Sequence, residues 1–291
     1  MYFSKNKPIP LVYWNVPNFG DILSPYIVGR LSHQEISHKE CYRGMRYVCL
    51  ETLKRMVGYI RKPFSSINYP FQHNLLGVGS IIGWGNGSSI VWGSGFMNSS
   101  DSYKGEMKVL AVRGKHTDLK LQSMGYEGCG VYGDPALLLP LLIKAESAKD
   151  NLLGVVPHIT ETDYFIKNYS DRVKVIDLRT RDIEQVVKDI TSCKYILSTS
   201  LHGIITAHAY NIPALWIKKH FINTDGFKFK DYFSSVNIME YEGFTDIDII
   251  LNDTNKCKEL FDNNSSISLP NVDLNVLRNK LLEVAPFQVN L

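Results

Sequence analysis

Between residues 151 and 218 apolar runs alternate with segments of helical period, and this alternation constrains the fold more than any other feature. The runs "LLGVVPH", "VKVIDL", "KYILSTS" and "PALWIK" are short and almost continuously apolar, as strands buried on both faces are. "TETDYFIKNY", "RDIEQVVKDITSC" and "HGIITAHAYN" separate them with helical spacing. Strand and helix in strict turn predict a parallel sheet covered by its own crossovers.

The first half carries a looser version of the same pattern. "IPLVYW" (residues 9–14), "NLLGVG", "SSIVWGSGF" and "KVLAV" read as strands. "NFGDILSPYIVGRL" (18–31) reads as a turn entering a helix, and helical spacing recurs through "YVCLETLKRMVGYI" (47–60). "KHTDLKLQSMG" reads as a helix with Gly125 at its C-cap. "YGDPALLLPLL" reads as a strand end and a helix start, with Pro135 in the first turn. The polar "KAESAKDN" (144–151) predicts a linker. A chain of 291 residues suits two domains. The expected fold is therefore α/β, with two Rossmann-like domains, 1–145 and 146–291, facing a cleft, and a tail helix (272–284) that packs back on the first. Ligands of such sheets sit beyond the carboxyl ends of the strands, so residues just after strands are the candidates.

A formal charge of +3 argues against nucleic-acid binding, which needs a concentrated basic stripe. The five cysteines are scattered and include no C-x-x-C, as expected of reduced thiols rather than disulfides or a zinc site. No run reaches the length of a membrane helix, and "MYFSKNKPIP" lacks the apolar stretch of a signal peptide. A cytoplasmic protein is expected, with no metal and no resident cofactor.

His202 stands at the seam of "TSLHGIITAHAYNIPALWIK", after a strand and at the front of a helix. Unpaired amides and the helix dipole attract an anion there, and an imidazole beside it can exchange a proton near neutral pH. Ser200 and Leu201 would share that helix start. His208, six residues on, is roughly 240° around the helix and reads as structural. Arg113 is the last side chain of the strand in "VLAVRGKHTD", and its guanidinium suits a carboxylate or phosphate. Asn18, Gly20 and Asp21 follow a strand and open a helix. Gly95 in "WGSGF" permits close backbone approach, and His158 follows the strand in "VVPHIT". Lys228 and Lys230 in "DGFKFKDYF" are within reach of an anion. "GVGSIIG" is one residue off the dinucleotide fingerprint and is rejected as such. "KRMVGYIRK" (54–62) reads as a solvated helix face, with peripheral contact to an anionic membrane as the alternative.

In order, "NFGD", "GSGF", "AVRG", "YGDPALLLP", "VPH", "STSLHGIITAHAYNIPALWIK" and "FKFKDYF" resemble the polysaccharide pyruvyl transferase family, above all its bacterial exopolysaccharide and capsule branch. The resemblance implies a fold like that of GT-B glycosyltransferases. It also implies transfer of a pyruvyl (carboxyethylidene) group from phosphoenolpyruvate onto two hydroxyls of a saccharide, giving a cyclic ketal and phosphate. The acceptor would be lipid-linked or nucleotide-activated. The family's acid/base histidine falls on His202, its donor-binding arginine on Arg113, and its lysine on Lys228, with Lys230 close enough to replace it. Several relatives carry arginine two residues before the histidine where this chain has Ser200, so one anion contact is either missing or supplied elsewhere, with Lys228, Lys230, Lys218 and Lys219 as the candidates. A nucleotide-sugar glycosyltransferase and a non-catalytic saccharide-binding partner are the competing expectations on such a scaffold.

Overall fold

The computed structural model describes residues 2–103, 105–146, 148–220 and 222–291; Ser147, within the predicted linker, lies outside them. The first sheet contains β1 (Ile9–Val12), β2 (Ile36–Lys39), β3 (Asn74–Leu76), β4 (Ser89–Trp92) and β5 (Lys108–Ala111), in the order β2-β1-β3-β4-β5. The second contains β6 (Asn151–Val156), β7 (Lys174–Val175), β8 (Cys193–Ser198) and β9 (Ala214–Trp216), in the order β7-β6-β8-β9. Every pairing is parallel. The chain is thus mixed α/β with two parallel sheets, consistent with a Rossmann-like architecture.

Helices α1 (Phe19–Ser32), α2 (Met45–Met56) and α3 (Lys115–Ser123) accompany the first sheet; α4 (Thr162–Tyr169), α5 (Ile183–Thr191) and α6 (Leu201–Ala209) connect the strands of the second. In α5 the buried Ile183, Val186, Val187 and Ile190 recur at helical spacing, so one stripe packs inward and the polar remainder faces water. Gly125 adopts a φ of +95° just past α3, where a side chain would be strained. Residues Pro135–Leu141 form a 3₁₀ rather than an α-helix. Pro140 has no amide hydrogen to donate.

After α7 (Phe227–Ser235) come α8 (Ile247–Asn252), α9 (Thr254–Asn263) and α10 (Leu274–Glu283). The last returns to the first sheet. Leu281 O accepts a 2.8 Å hydrogen bond from Trp92 Nε1, and the Phe287 ring meets the Trp92 ring edge-on at 5.2 Å. Asn290 N donates to Leu31 O at 2.7 Å, and Tyr2 N donates to Pro286 O at 2.8 Å.

The helical period of residues 47–60 is realised in α2, but its facing is the reverse of the usual one. Leu50, Leu53 and Met56 are exposed, while Glu51 and Arg55 are buried. Strand β2 and helices α8 and α9 have no counterpart in the sequence reading.

Candidate active site

The candidate residues follow the carboxyl ends of strands in both sheets. Beyond β1, Asn18 caps α1: its Oδ1 accepts from Gly20 N at 3.3 Å and its Nδ2 donates to Asp21 Oδ2 at 2.6 Å. Phe19 N donates to Leu178 O at 2.8 Å, tying this turn to the segment after β7. Burial pushes the Asp21 carboxyl up to about 7, against the Asn18 bond and the charge of Lys228.

Beyond β8, Ser198 Oγ accepts from Ser200 N at 3.0 Å and shapes the turn into α6. Ser200 occupies the N-cap with extended backbone, yet its side chain caps no amide. The first-turn amides of α6 are therefore left for another acceptor. Leu201 is buried in the core, so only its backbone can serve a ligand.

His202 follows in that turn, with 17 % of its side chain exposed. Its Nε2 lies 3.9 Å from Asp134 Oδ2, and neither buried atom has a hydrogen-bond partner among the described residues. Burial, then the charges of Lys228 and Arg113, pull the imidazole down to about 3. Asp134 caps the 3₁₀ helix through Oδ1, which accepts from Ala136 N at 2.9 Å. Burial raises its carboxyl to about 6. The opposite ring edge lies on Gly20, where a Cβ would stand 2.4 Å from His202 Nδ1. Thus a residue after β1 and one after β8 touch because the former has no side chain.

Arg113 is fully buried and largely committed to the protein. Its Nε donates to Asp231 Oδ2 at 2.9 Å and one terminal nitrogen lies 2.8 Å from the same oxygen. That same nitrogen, Nη2, donates to Phe96 O, and Nη1 donates to Ser80 Oγ, each at 2.6 Å. Asp231, on α7, also accepts from Thr117 N and Thr117 Oγ1 at 2.8 and 2.7 Å. This network fixes α7 against the end of β5. Gly95 packs on it, since a Cβ there would lie 2.5 Å from the guanidinium carbon. Its open side receives Arg113.

Lys228 and Lys230 diverge. Lys228 is 7 % exposed, and its Nζ has no hydrogen-bond partner among the described residues. Burial, then the charge of Arg113, lowers it to about 8, opposed by Asp21. Its charge is felt at Asp21, His158 and His202. Lys230, roughly 200° further round α7, pairs with Glu242 at 2.5 Å. His158 donates its backbone N–H to Thr199 Oγ1 at 2.7 Å and contacts Thr160 Oγ1 through Nδ1 at 2.8 Å. Burial, then Lys228, lowers its ring to about 4. His208 is buried between Tyr232 Oη and Ser268 O, at 3.0 and 3.1 Å, away from this group.

Asp21, His202 and His158 thus each lie within range of the Lys228 charge, His202 also feels Arg113, and Arg113 itself is fully buried. Sequence reasoning missed Asp134, Asp231 and Ser80. A signal for Asp134 existed in "YGDPALLLP", where an acid follows a strand end; Asp231 had none, being 118 residues from its arginine. Among the described residues, no group of three or more His, Cys, Asp or Glu is disposed to hold a metal ion.

Comparison with known proteins adds three findings. An uncharacterized protein of Acanthamoeba polyphaga mimivirus is 32% identical over 170 residues, a stretch covering 55% of this chain and 59% of that protein. The crystal structure of an uncharacterized protein from Klebsiella pneumoniae aligns over 91% of this chain and 93% of its own, at 14% identity and a TM-score of 0.46. Residues 75–219, which carry Arg113, Asp134, His158 and His202, match the family model described as Polysaccharide pyruvyl transferase.

Proposed function

We propose that the protein transfers a pyruvyl group from phosphoenolpyruvate to two hydroxyls of a saccharide, forming a cyclic ketal. The observation that carries this reading is Lys228, an almost buried amine with no hydrogen-bond partner among the described residues, whose charge is felt at His202. Burial, and then the charges of Lys228 and Arg113, suppress the proton affinity of that imidazole. A donor bearing phosphate and carboxylate would cancel their field, so binding the donor arms the histidine. The uncapped amides at Ser200 would take part of the anion's charge.

The proposed chemistry balances without an added co-reactant. A general acid, His202 or the Asp21 carboxyl, protonates the donor's methylene carbon, and C2 becomes cationic. The first sugar hydroxyl adds to C2 and gives up its proton. The second then displaces phosphate, closing the ring, and its proton leaves with the departing group or returns to the acid. Asp134 would hold the His202 ring once it is charged. The two sheets would present donor and acceptor to each other across a cleft. A lipid-linked or nucleotide-activated saccharide fits the acceptor role.

Incubation with phosphoenolpyruvate and a panel of saccharides should release phosphate and add the pyruvate-derived mass to one of them. His202→Ala should abolish both while the protein stays folded. Thermal stabilisation by a nucleoside diphosphate, with none by phosphoenolpyruvate, would instead assign a nucleotide-sugar transferase.

A further inference from the structure

Helix α2 is inside out. Its inward side carries charge: Arg55, with no exposed side-chain surface, donates to Glu40 Oε2 at 3.0 Å and to Ser66 Oγ at 2.9 Å, and Glu51 lies 3.6 Å away. Its outward side is apolar. At about 100° per residue, Met45, Met56, Leu53, Val57 and Leu50 fall within one arc of about 140°. Met56 is 71 % exposed, Val57 69 % and Leu53 56 %. The loop that leaves the helix runs back along it, through Tyr59 N to Lys54 O at 2.8 Å, and adds Tyr59, itself 79 % exposed. Buried charge and exposed apolar surface are both unfavourable in water, so the outward face needs a non-aqueous neighbour.

The charge around it selects that neighbour. Residues 41–100 contain six Lys or Arg and a single acid, Glu51, which is buried against Arg55. Arg43, Arg61 and Lys62 supply an exposed basic rim, Lys62 being paired with Glu40 at 3.0 Å, and the exposed Arg46 falls inside the arc itself. A second copy of the chain meeting this face about a twofold axis would set basic rim against basic rim. Anionic lipid would not.

We infer that this face docks on an anionic lipid surface. The apolar arc enters the boundary between headgroups and acyl chains, and the arginines stay level with the phosphates. No described helix is long and apolar enough to cross a membrane, so the contact is peripheral. It rests on this surface and not on the reaction proposed above. A cavity of about 520 Å³ shares Arg43, Tyr47 and Lys62 with the face, and docking sets that cavity near the headgroups.

Sedimentation of the full chain with phosphatidylcholine vesicles, with and without phosphatidylglycerol, tests this. Binding is expected only to the anionic vesicles and should weaken with salt. Leu53→Glu combined with Met56→Glu should abolish it without lowering the melting temperature, because both side chains face solvent. Arg46→Gln combined with Arg61→Gln should weaken it about 30-fold and leave the apolar arc intact. Folded protein that binds neither vesicle would overturn the inference, as would a concentration-dependent dimer lost in the Leu53→Glu, Met56→Glu variant.

Discussion

Nε2 of His202 and Oδ2 of Asp134 face each other at 3.9 Å, both buried, with no hydrogen-bond partner for either among the described residues. A gap of this length leaves the pair just short of bonding, and a proton on the imidazole would supply the missing attraction. Asp134→Asn keeps the cap on Ala136, since an amide oxygen accepts equally well, but removes the charge. It should lower kcat on the order of 10²-fold with little change in donor KM. Phosphate-release kinetics check this, and unchanged kcat would remove Asp134 from the chemistry.

Gly20 leaves the space that His202 occupies. A methyl group there would stand 2.4 Å from Nδ1, so Gly20→Ala should push the ring aside. Turnover should fall about 10²-fold, the scale of a misplacement near 1 Å. Circular dichroism should show the fold intact.

Lys228 trades stability for binding. Its folded pKa is lowered to about 8, so the native state resists the ammonium form. The stability it contributes is complete only above its unfolded value, near 10.5, and is lost as pH falls toward 8. Lys228→Met should therefore raise the melting temperature at pH 7 by a few degrees. It should also abolish the stabilisation expected of the native protein if phosphoenolpyruvate is the donor, as proposed above. Scanning calorimetry with and without the ligand reads both effects.

Asp21 behaves in the opposite sense. Its folded pKa is raised to about 7, so its contribution is complete below its unfolded value near 3.8 and is lost as pH rises through 7. Asp21→Asn holds the neutral form at every pH. The variant should match the parent's melting temperature only below about pH 3.8, exceed it increasingly as pH rises toward 7, and hold a constant excess at pH 8.5. Parallel curves across that range would contradict the assignment.

Arg113 and Asp231 form a fully buried ion pair. Asp231→Asn leaves a buried guanidinium short of charge, and it should cost about 3–5 kcal/mol in a urea titration. A loss within the surface-mutation range would mean that the pair contributes little.

The second sheet was legible because strands buried on both faces are written as apolar runs: β9 lies within its run, and β6 and β8 begin one residue before theirs. Strand β2, "ISHK", escaped because an edge strand only half covered needs no such run. The apolar period of α2 was legible but its direction was not, since periodicity reports a stripe and not what covers it. At the site, residues just after strands could be singled out from order alone. The choice between Lys228 and Lys230 could not, because it depends on where α7 begins. Arg113 reads as an exposed anion ligand until its partner is known, and sequence carries no trace of a contact 118 residues away.

The strip from Leu281 to Asn290 closes over Trp92 and Leu31. A ribosome releases those two residues long before the strip that covers them, so the early half emerges with an open seam. Residues 281–290 must emerge before it can shut. Nascent chains halted a few residues short would carry that seam to the folding and degradation machinery, however well their strands had already paired.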